Sequence, residues 1–122
     1  MLKGKRALVV DDEALIADAL VMMLEDLELV VCGVAATADD AIDLALAHLP
    51  DVVLMDVRLK GDKDGITAAI AIGQQSHTPI VFVTGSREPE TLARIRHDHA
   101  APVLFKPFRF DQLRAAVTQA IG

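Results

Sequence analysis

Carboxylates, a hydroxyl and an amine each stand directly behind a short apolar run in this chain. Asp11 and Asp12 follow Ala7-Leu8-Val9-Val10, and Asp56 follows Val52-Val53-Leu54-Met55. Thr84 and Gly85 follow Ile80-Val81-Phe82-Val83, and Lys106 follows Val103-Leu104-Phe105. Brought into one cleft, the carboxylates of Asp11, Asp12 and Asp56 would repel one another unless a hard cation neutralised them. Oxygen-only ligands at an open site suit Mg²⁺. Lys106 adds a fixed positive charge, and Thr84 adds a hydroxyl beside a backbone that Gly85 leaves open to close approach. Metal, lysine, hydroxyl and free N–H groups together form a clamp for a phosphoryl group. A central carboxylate inside that clamp is a nucleophile able to form an acyl phosphate. Each element alone is common; their conjunction behind four apolar runs is what is specific. Glu13 is read as the start of a helix rather than as part of the site.

For these residues to meet, the apolar runs must be neighbouring strands. Four apolar residues leading into a carboxylate read as a strand buried on both faces, and open α/β sheets bind ligands at the carboxyl ends of their strands. Strands are expected at about Arg6 to Val10, Val30 to Val34, Val52 to Met55, Ile80 to Val83 and Val103 to Phe105. Helical patterns alternate with them. Leu15, Ile16, Ala19, Leu20, Met23, Leu24 and Leu27 recur at three-to-four spacing and predict a helix from about Ala14 to Leu27. Thr37 is a good N-cap for the next, with Asp39 and Asp40 complementing its dipole and Ala41, Ile42, Leu44, Ala45 and Leu49 facing inward until Pro50. His48 is a surface dipole partner near its end. Ile66, Ala69, Ile70 and Gly73 are expected to face inward on a third helix beginning near Gly65. A fourth, from about Pro89 to Asp98, has only Leu92 and Ile95 as large anchors and should be the least firmly held. Phe110, Leu113, Val117 and Ile121 space correctly for a last amphipathic helix. Five βα units with short connections predict a parallel sheet sandwiched by helices.

Size and composition limit the rest. A single domain spanning residues 1–122 can bury a sizeable core without a disulfide or structural metal. The lone cysteine, Cys32, lies within Val30 to Val34 and is read as a buried small hydrophobe in a reducing compartment. No run approaches the ~18 apolar residues of a membrane span, and the start does not look like a signal peptide. A cytoplasmic protein without membrane association is expected. The net charge of −6 is uneven: residues 1–86 hold 6 basic and 14 acidic groups, residues 87–122 hold 6 and 4. An acidic chain with no Trp, no Tyr and no basic stripe is a poor nucleic-acid binder, so DNA is not an expected partner. Its mildly basic final third could dock a protein.

Over its whole length the chain resembles the receiver domain of two-component response regulators. The matching residues are Val9-Val10-Asp11-Asp12-Glu13, Leu54-Met55-Asp56, Asp64-Gly65, Thr84-Gly85 and Lys106-Pro107-Phe108, in family order and at about family spacing. The resemblance implies a flavodoxin-like (βα)5 fold with strand order 2-1-3-4-5, phosphorylated on Asp56 by a phosphohistidine of a sensor histidine kinase or a histidine phosphotransfer protein. By position, Asp11, Asp12, Asp56 and the backbone carbonyl of Arg58 would hold Mg²⁺. Thr84, Gly85, Lys106 and Val57 would hold the phosphoryl group. Motif order also leads us to expect a cis peptide between Lys106 and Pro107. Such a protein accepts a phosphoryl group rather than turning over a substrate. With no output domain expected after the last helix, its signal would leave through the face of the fourth helix, fifth strand and fifth helix, or the phosphoryl group would pass to another protein.

Three departures from the family pattern stand out. Most receivers carry an aromatic residue three before the lysine, and here that position is Val103. The loop Arg58 to Gly65 is about one residue longer than the commonest form and lacks its proline. Pro79-Ile80-Val81-Phe82-Val83-Thr84-Gly85 resembles a subgroup of mostly stand-alone receivers with a Phe-x-Thr-Gly signature. Arg58, two after the acceptor, occupies a position that in the family tunes hydrolysis, or else it is an exposed loop arginine. Two other classes compete. A haloacid dehalogenase-type phosphatase also uses Asp, Thr, Lys and Mg²⁺, but places a second aspartate where this chain has Arg58. A non-phosphorylated interaction module would not need the complete set of site residues. A flavin carrier fits worst, because Asp11, Asp12 and Glu13 would repel a phosphate after the first strand.

Overall fold

A computed structural model describes residues 2–98 and 101–122. Strands and helices alternate throughout: β1 (Arg6–Val10), α1 (Ala14–Asp26), β2 (Val30–Ala35), α2 (Ala38–His48), β3 (Val52–Asp56), α3 (Gly65–Gln75), β4 (Ile80–Thr84), α4 (Pro89–Asp98), β5 (Val103–Phe105) and α5 (Phe110–Ile121). The strands form one sheet in the order β2-β1-β3-β4-β5, with every pairing parallel. This is the flavodoxin-like order the resemblance implied.

Alternating residues of each central strand feed opposite layers, as the two-residue strand period requires. Leu8, Val10, Val53, Met55 and Phe82 pack with Ala38, Ala41 and Ala45 of α2, with Ile66, Ala69 and Ile72 of α3, and with Ile95 of α4. Ala7, Val9, Leu54, Val81 and Val83 pack with Ala17, Leu20 and Leu24 of α1 and with Leu113, Ala116 and Val117 of α5. With both faces covered, β3 and β4 are buried from end to end. Packing on both faces therefore fixes where the strands end, and with it where the residues at those ends stand.

Several expected inward residues face water instead. Leu15 is 85% exposed and Ala19 is exposed, because α1 is apolar on most sides and its buried stripe runs through Ala17, Leu20 and Leu24. Leu49 is exposed because it terminates α2 in the left-handed region (φ 46°), which turns its side chain off the helix face. In α3 the inward stripe is Ile66, Ala68, Ala69 and Ile72, which leaves Gly73 on the solvent side. Phe110, the first residue of α5, is 40% exposed.

Cys32 is half-buried rather than buried. Val31 pairs with Ala7 and Gly33 with Leu8, so Cys32 is the extra residue of a bulge in an edge strand. Its thiol points to the carbonyl of Ala7 at 3.4 Å. The helix caps follow local chemistry: Thr37 Oγ1 accepts from the Asp40 amide, and Asp64 Oδ1 accepts from the Thr67 amide. The fourth helix buries one large residue completely, Ile95, while Leu92 is half-buried. A second hold comes from Arg94, whose guanidinium donates to the Asp64 carboxylate at 2.7 and 3.5 Å. Among the described residues no helix is long and apolar enough to cross a membrane.

Candidate functional site

The carboxyl edge of the sheet collects the chemistry. β1 delivers Asp11 and Asp12, β3 ends at Asp56, β4 ends at Thr84, and β5 leads into Lys106 across the sheet. One carboxylate oxygen from each of Asp11, Asp12 and Asp56 lies within 4.8 Å of the others. Asp11 and Asp56 are only 3% and 5% exposed, and Asp12 is half-buried. Lys106 Nζ donates to Asp11 Oδ2 at 3.1 Å and to Asp56 Oδ2 at 3.2 Å. Oδ1 of Asp11 accepts from the Glu13 amide at 2.9 Å, and Oδ1 of Asp56 accepts from the Arg58 amide at 3.3 Å.

This packing shifts the acid–base balance. Burial pushes the Asp56 carboxyl up to about 6, the Asp11 charge pushes in the same direction, and Lys106 together with the Arg58 amide opposes them. Burial pulls the Lys106 amine down, but the two carboxylates beside it win and hold it above the usual lysine range. One lysine bonds to two of the three carboxylates. Two of them are nearly fully buried, a donor set that fits a hard divalent cation.

Thr84 is buried, its Oγ1 accepts from the Ser86 amide at 3.0 Å, and its carbonyl accepts from the Lys106 amide at 2.9 Å. Gly85 is exposed, and a Cβ added there would meet nothing within 4 Å, so the backbone beside Thr84 stands open. Val57, expected among the phosphoryl-binding residues, has its backbone committed elsewhere. Its N–H donates to the Val83 carbonyl at 3.3 Å, and its carbonyl accepts from the Gly65 amide at 2.7 Å. The amide that reaches the Asp56 carboxylate belongs to Arg58. The Arg58 guanidinium reaches outward to Glu88 at 3.8 Å, both side chains being well exposed. The Lys106–Pro107 peptide is cis.

These residues surround an open cleft of about 690 Å³, whose walls include Asp12, Glu13, Asp56, Arg58, Thr84 and Lys106, with the segment from Gly85 to Glu88 along one side. Glu13 thus borders the cleft while also preceding α1, where its side chain makes no cap bond. Sequence reasoning did not single out Ser86, Arg87 or Glu88; their place directly after Thr84-Gly85 is the signal that could have found them. Below the cleft, α3 begins hard against the end of β3: a Cβ on Gly65 would overlap the carbonyl oxygen of Asp56. Only glycine permits that approach.

The family model for the response regulator receiver domain matches residues 7–118. The chain belongs to that family, whose members serve two-component signalling. Among curated relatives it is similar to the transcriptional regulatory protein PdtaR of Mycobacterium tuberculosis (strain CDC 1551 / Oshkosh), 36% identical over 118 residues. That alignment covers 97% of this chain and 57% of PdtaR. It is also similar to the phyllosphere-induced regulator PhyR of Methylorubrum extorquens, 30% identical over 115 residues, covering 93% of this chain and 42% of PhyR. The chain therefore spans about half the length of these relatives. Among solved structures, the receiver domain of a modulated diguanylate cyclase from Desulfovibrio desulfuricans G20 superposes with a TM-score of 0.90 at 32% identity, covering 98% of this chain and 94% of that one. The receiver domain of the putative response regulator NarL from Mycobacterium tuberculosis gives 0.88 at 29% identity, covering 98% of each chain.

Proposed function

We propose that Asp56 accepts a phosphoryl group from the phosphohistidine of a sensor histidine kinase or histidine phosphotransfer protein. The observation that carries this reading is the contact of Lys106 with both Asp56 and Asp11 in a cleft that also presents Thr84 and Gly85. In the transfer, the phosphorus–nitrogen bond of the donor breaks and its electrons return to the imidazole. A bond forms from an Asp56 carboxylate oxygen to phosphorus. The reaction needs the ionised carboxylate, so Lys106 serves first by opposing the protonation that burial favours. Lys106 and the Thr84 hydroxyl are then placed to donate to the phosphoryl oxygens, along with the open backbone beside Gly85. Asp11, Asp12 and Asp56, with the Arg58 carbonyl, would hold Mg²⁺. When bound, that ion neutralises charge shared between the carboxylates and the phosphoryl oxygens.

This chain is an acceptor rather than a turnover enzyme in this reading. A phosphatase of the competing class needs a general acid two residues after its nucleophile. Here that residue is Arg58, whose side chain points to Glu88. The product signal leaves through the face of α4, β5 and α5, or the phosphoryl group moves on to a second protein. The partners are proteins of the cytoplasm rather than DNA or membrane, in keeping with the net charge of −6.

Incubation with Mg²⁺ and a phosphorylated histidine kinase, comparing wild type with Asp56→Asn, tests the proposal. Labelled phosphate should move to the wild type alone. Label on the Asp56→Asn protein, or sustained hydrolysis of small phosphomonoesters by the wild type, would overturn it.

A further inference from the structure

Arg87 borders two cavities. One is the cleft that holds Asp56, and the other is a groove of about 380 Å³ lined by Val103, Phe105, Gln112, Ala115 and Gln119 along β5 and α5. Its guanidinium carbon lies 4.1 Å from the centre of the Phe105 ring. Lys106 is engaged by Asp11 and Asp56, and Arg58 faces Glu88. Arg87, by contrast, is paired with no carboxylate among the described residues. Among the described residues it is the cleft cation that rests on a ring rather than on a carboxylate.

Position matters as much as charge. Val103 and Phe105 are both half-buried while Leu104 between them is buried among α1 and α5, so 103 and 105 share one face of β5. The aromatic side chain absent from position 103 is present on the same face two residues later, directly before Lys106. Phe105 is also the residue that pairs with Thr84 across the sheet.

We propose that Arg87 is a phosphoryl ligand held in reserve: it lies over Phe105 while Asp56 is unmodified, and moves onto the phosphoryl oxygens once Asp56 is phosphorylated, uncovering Phe105 and the groove. The inference rests on the reading of Asp56 as the acceptor. Phosphorylation replaces one negative charge in the cleft with about two and adds acceptor oxygens. A guanidinium binds such oxygens with paired, charge-assisted hydrogen bonds, whereas its attraction to a solvent-accessible ring is weak. The loop can yield, since its internal bonds run from the Ser86 amide to Thr84 Oγ1 and from the Glu88 amide to Ser86 Oγ. Turning the Thr84 hydroxyl toward a phosphoryl group would release the first of these. Arg87 would then report the state of Asp56 to the β5–α5 face, the task for which position 103 has no aromatic ring.

Beryllium fluoride with Mg²⁺, followed by NMR on the labelled full chain, separates this inference from the one beneath it. Shifts of the Thr84 and Gly85 amides report that the cleft is filled. The expected result adds a shift of the Arg87 Nε–H signal and of the Phe105 ring signals. Arg87→Ala should weaken beryllium fluoride binding about tenfold, with Arg87→Lys between it and the wild type. Phe105→Leu, which removes the resting place of the guanidinium, should strengthen it. Shifts at Thr84 and Gly85 with Arg87 and Phe105 unmoved, or wild-type affinity in a folded Arg87→Ala protein, would overturn the role of Arg87 and leave the acceptor reading standing. No shift at Thr84 or Gly85 in the wild type would overturn both.

Discussion

The ammonium of Lys106 rests 3.2 Å from Oδ2 of Asp56, and it opposes the burial that drives that carboxyl's pKa upward. Removing the charge while keeping the length of the side chain should expose how much it opposes. In a Lys106→Met protein the Asp56 carboxyl should titrate above its wild-type value of about 6, read from its carboxyl carbon by NMR in the absence of metal. An unchanged midpoint would mean that the contact carries little electrostatic weight.

The same carboxyl sets a pH dependence. Because the folded pKa of Asp56 lies above its ordinary value of 3.8, the folded chain holds this proton more tightly than the unfolded chain does. Its contribution to stability is therefore most favourable below pH 3.8, falls as pH rises toward about 6, and stays at its least favourable value above that. Asp56→Asn should be more stable than the wild type in metal-free buffer at neutral pH, by on the order of 3 kcal/mol in urea denaturation. The difference should shrink as the solution is acidified, and Mg²⁺ at neutral pH should narrow it.

Two glycines of one helix should respond in opposite directions. A Cβ at Gly65 overlaps the carbonyl of Asp56, and backbone cannot step aside as a side chain could. Gly65→Ala should cost about 3 kcal/mol and displace the acceptor. A Cβ at Gly73, on the solvent side of α3, meets nothing within 4 Å. Gly73→Ala should stabilise by about 0.5 to 1 kcal/mol, as alanine does in a helix interior. Denaturation curves for the pair check both.

Asp64 has two duties that substitution can separate. Its Oδ1 caps α3 through the Thr67 amide, and both of its oxygens receive the Arg94 guanidinium from α4. Burial raises its pKa, but these donors outweigh burial and lower it. The stability it contributes is present above the ordinary carboxylate range and is lost as pH falls through the folded value. Asparagine caps as well as aspartate, so Asp64→Asn should lose only the partly exposed ion pair, about 0.5 kcal/mol. Asp64→Ala should lose roughly 1 kcal/mol more. Both should speed amide exchange across Pro89–Asp98.

The residues of the site were legible in the sequence because each stands at the end of an apolar run, and parallel strands put such ends on one edge. The sheet order needed the motif order as well. What could not be read was phase and distance. Leu15, Ile16, Ala19, Met22 and Met23 make α1 apolar on most sides, so spacing alone did not choose Ala17, Leu20 and Leu24 as its buried stripe. The bulge at Cys32 depends on how β2 pairs with β1, which nothing local encodes. Asp64 with Arg94, and Arg58 with Glu88, are thirty residues apart in sequence, and their meeting follows from packing α4 and the loop before it against the loop that leads into α3. The commitment of the Val57 amide to Val83 is likewise a property of the β3–β4 register rather than of either residue.

In this mechanism Asp56, and neither Asp11 nor Asp12, carries the phosphoryl group. After phosphotransfer in Mg²⁺, borohydride reduction cleaves an acyl phosphate and leaves homoserine at the modified position, which peptide mass spectrometry locates. Homoserine is expected at 56, absent from unphosphorylated protein and from Asp56→Asn. Homoserine at 11 or 12, or at no position despite incorporated label, would contradict this mechanism.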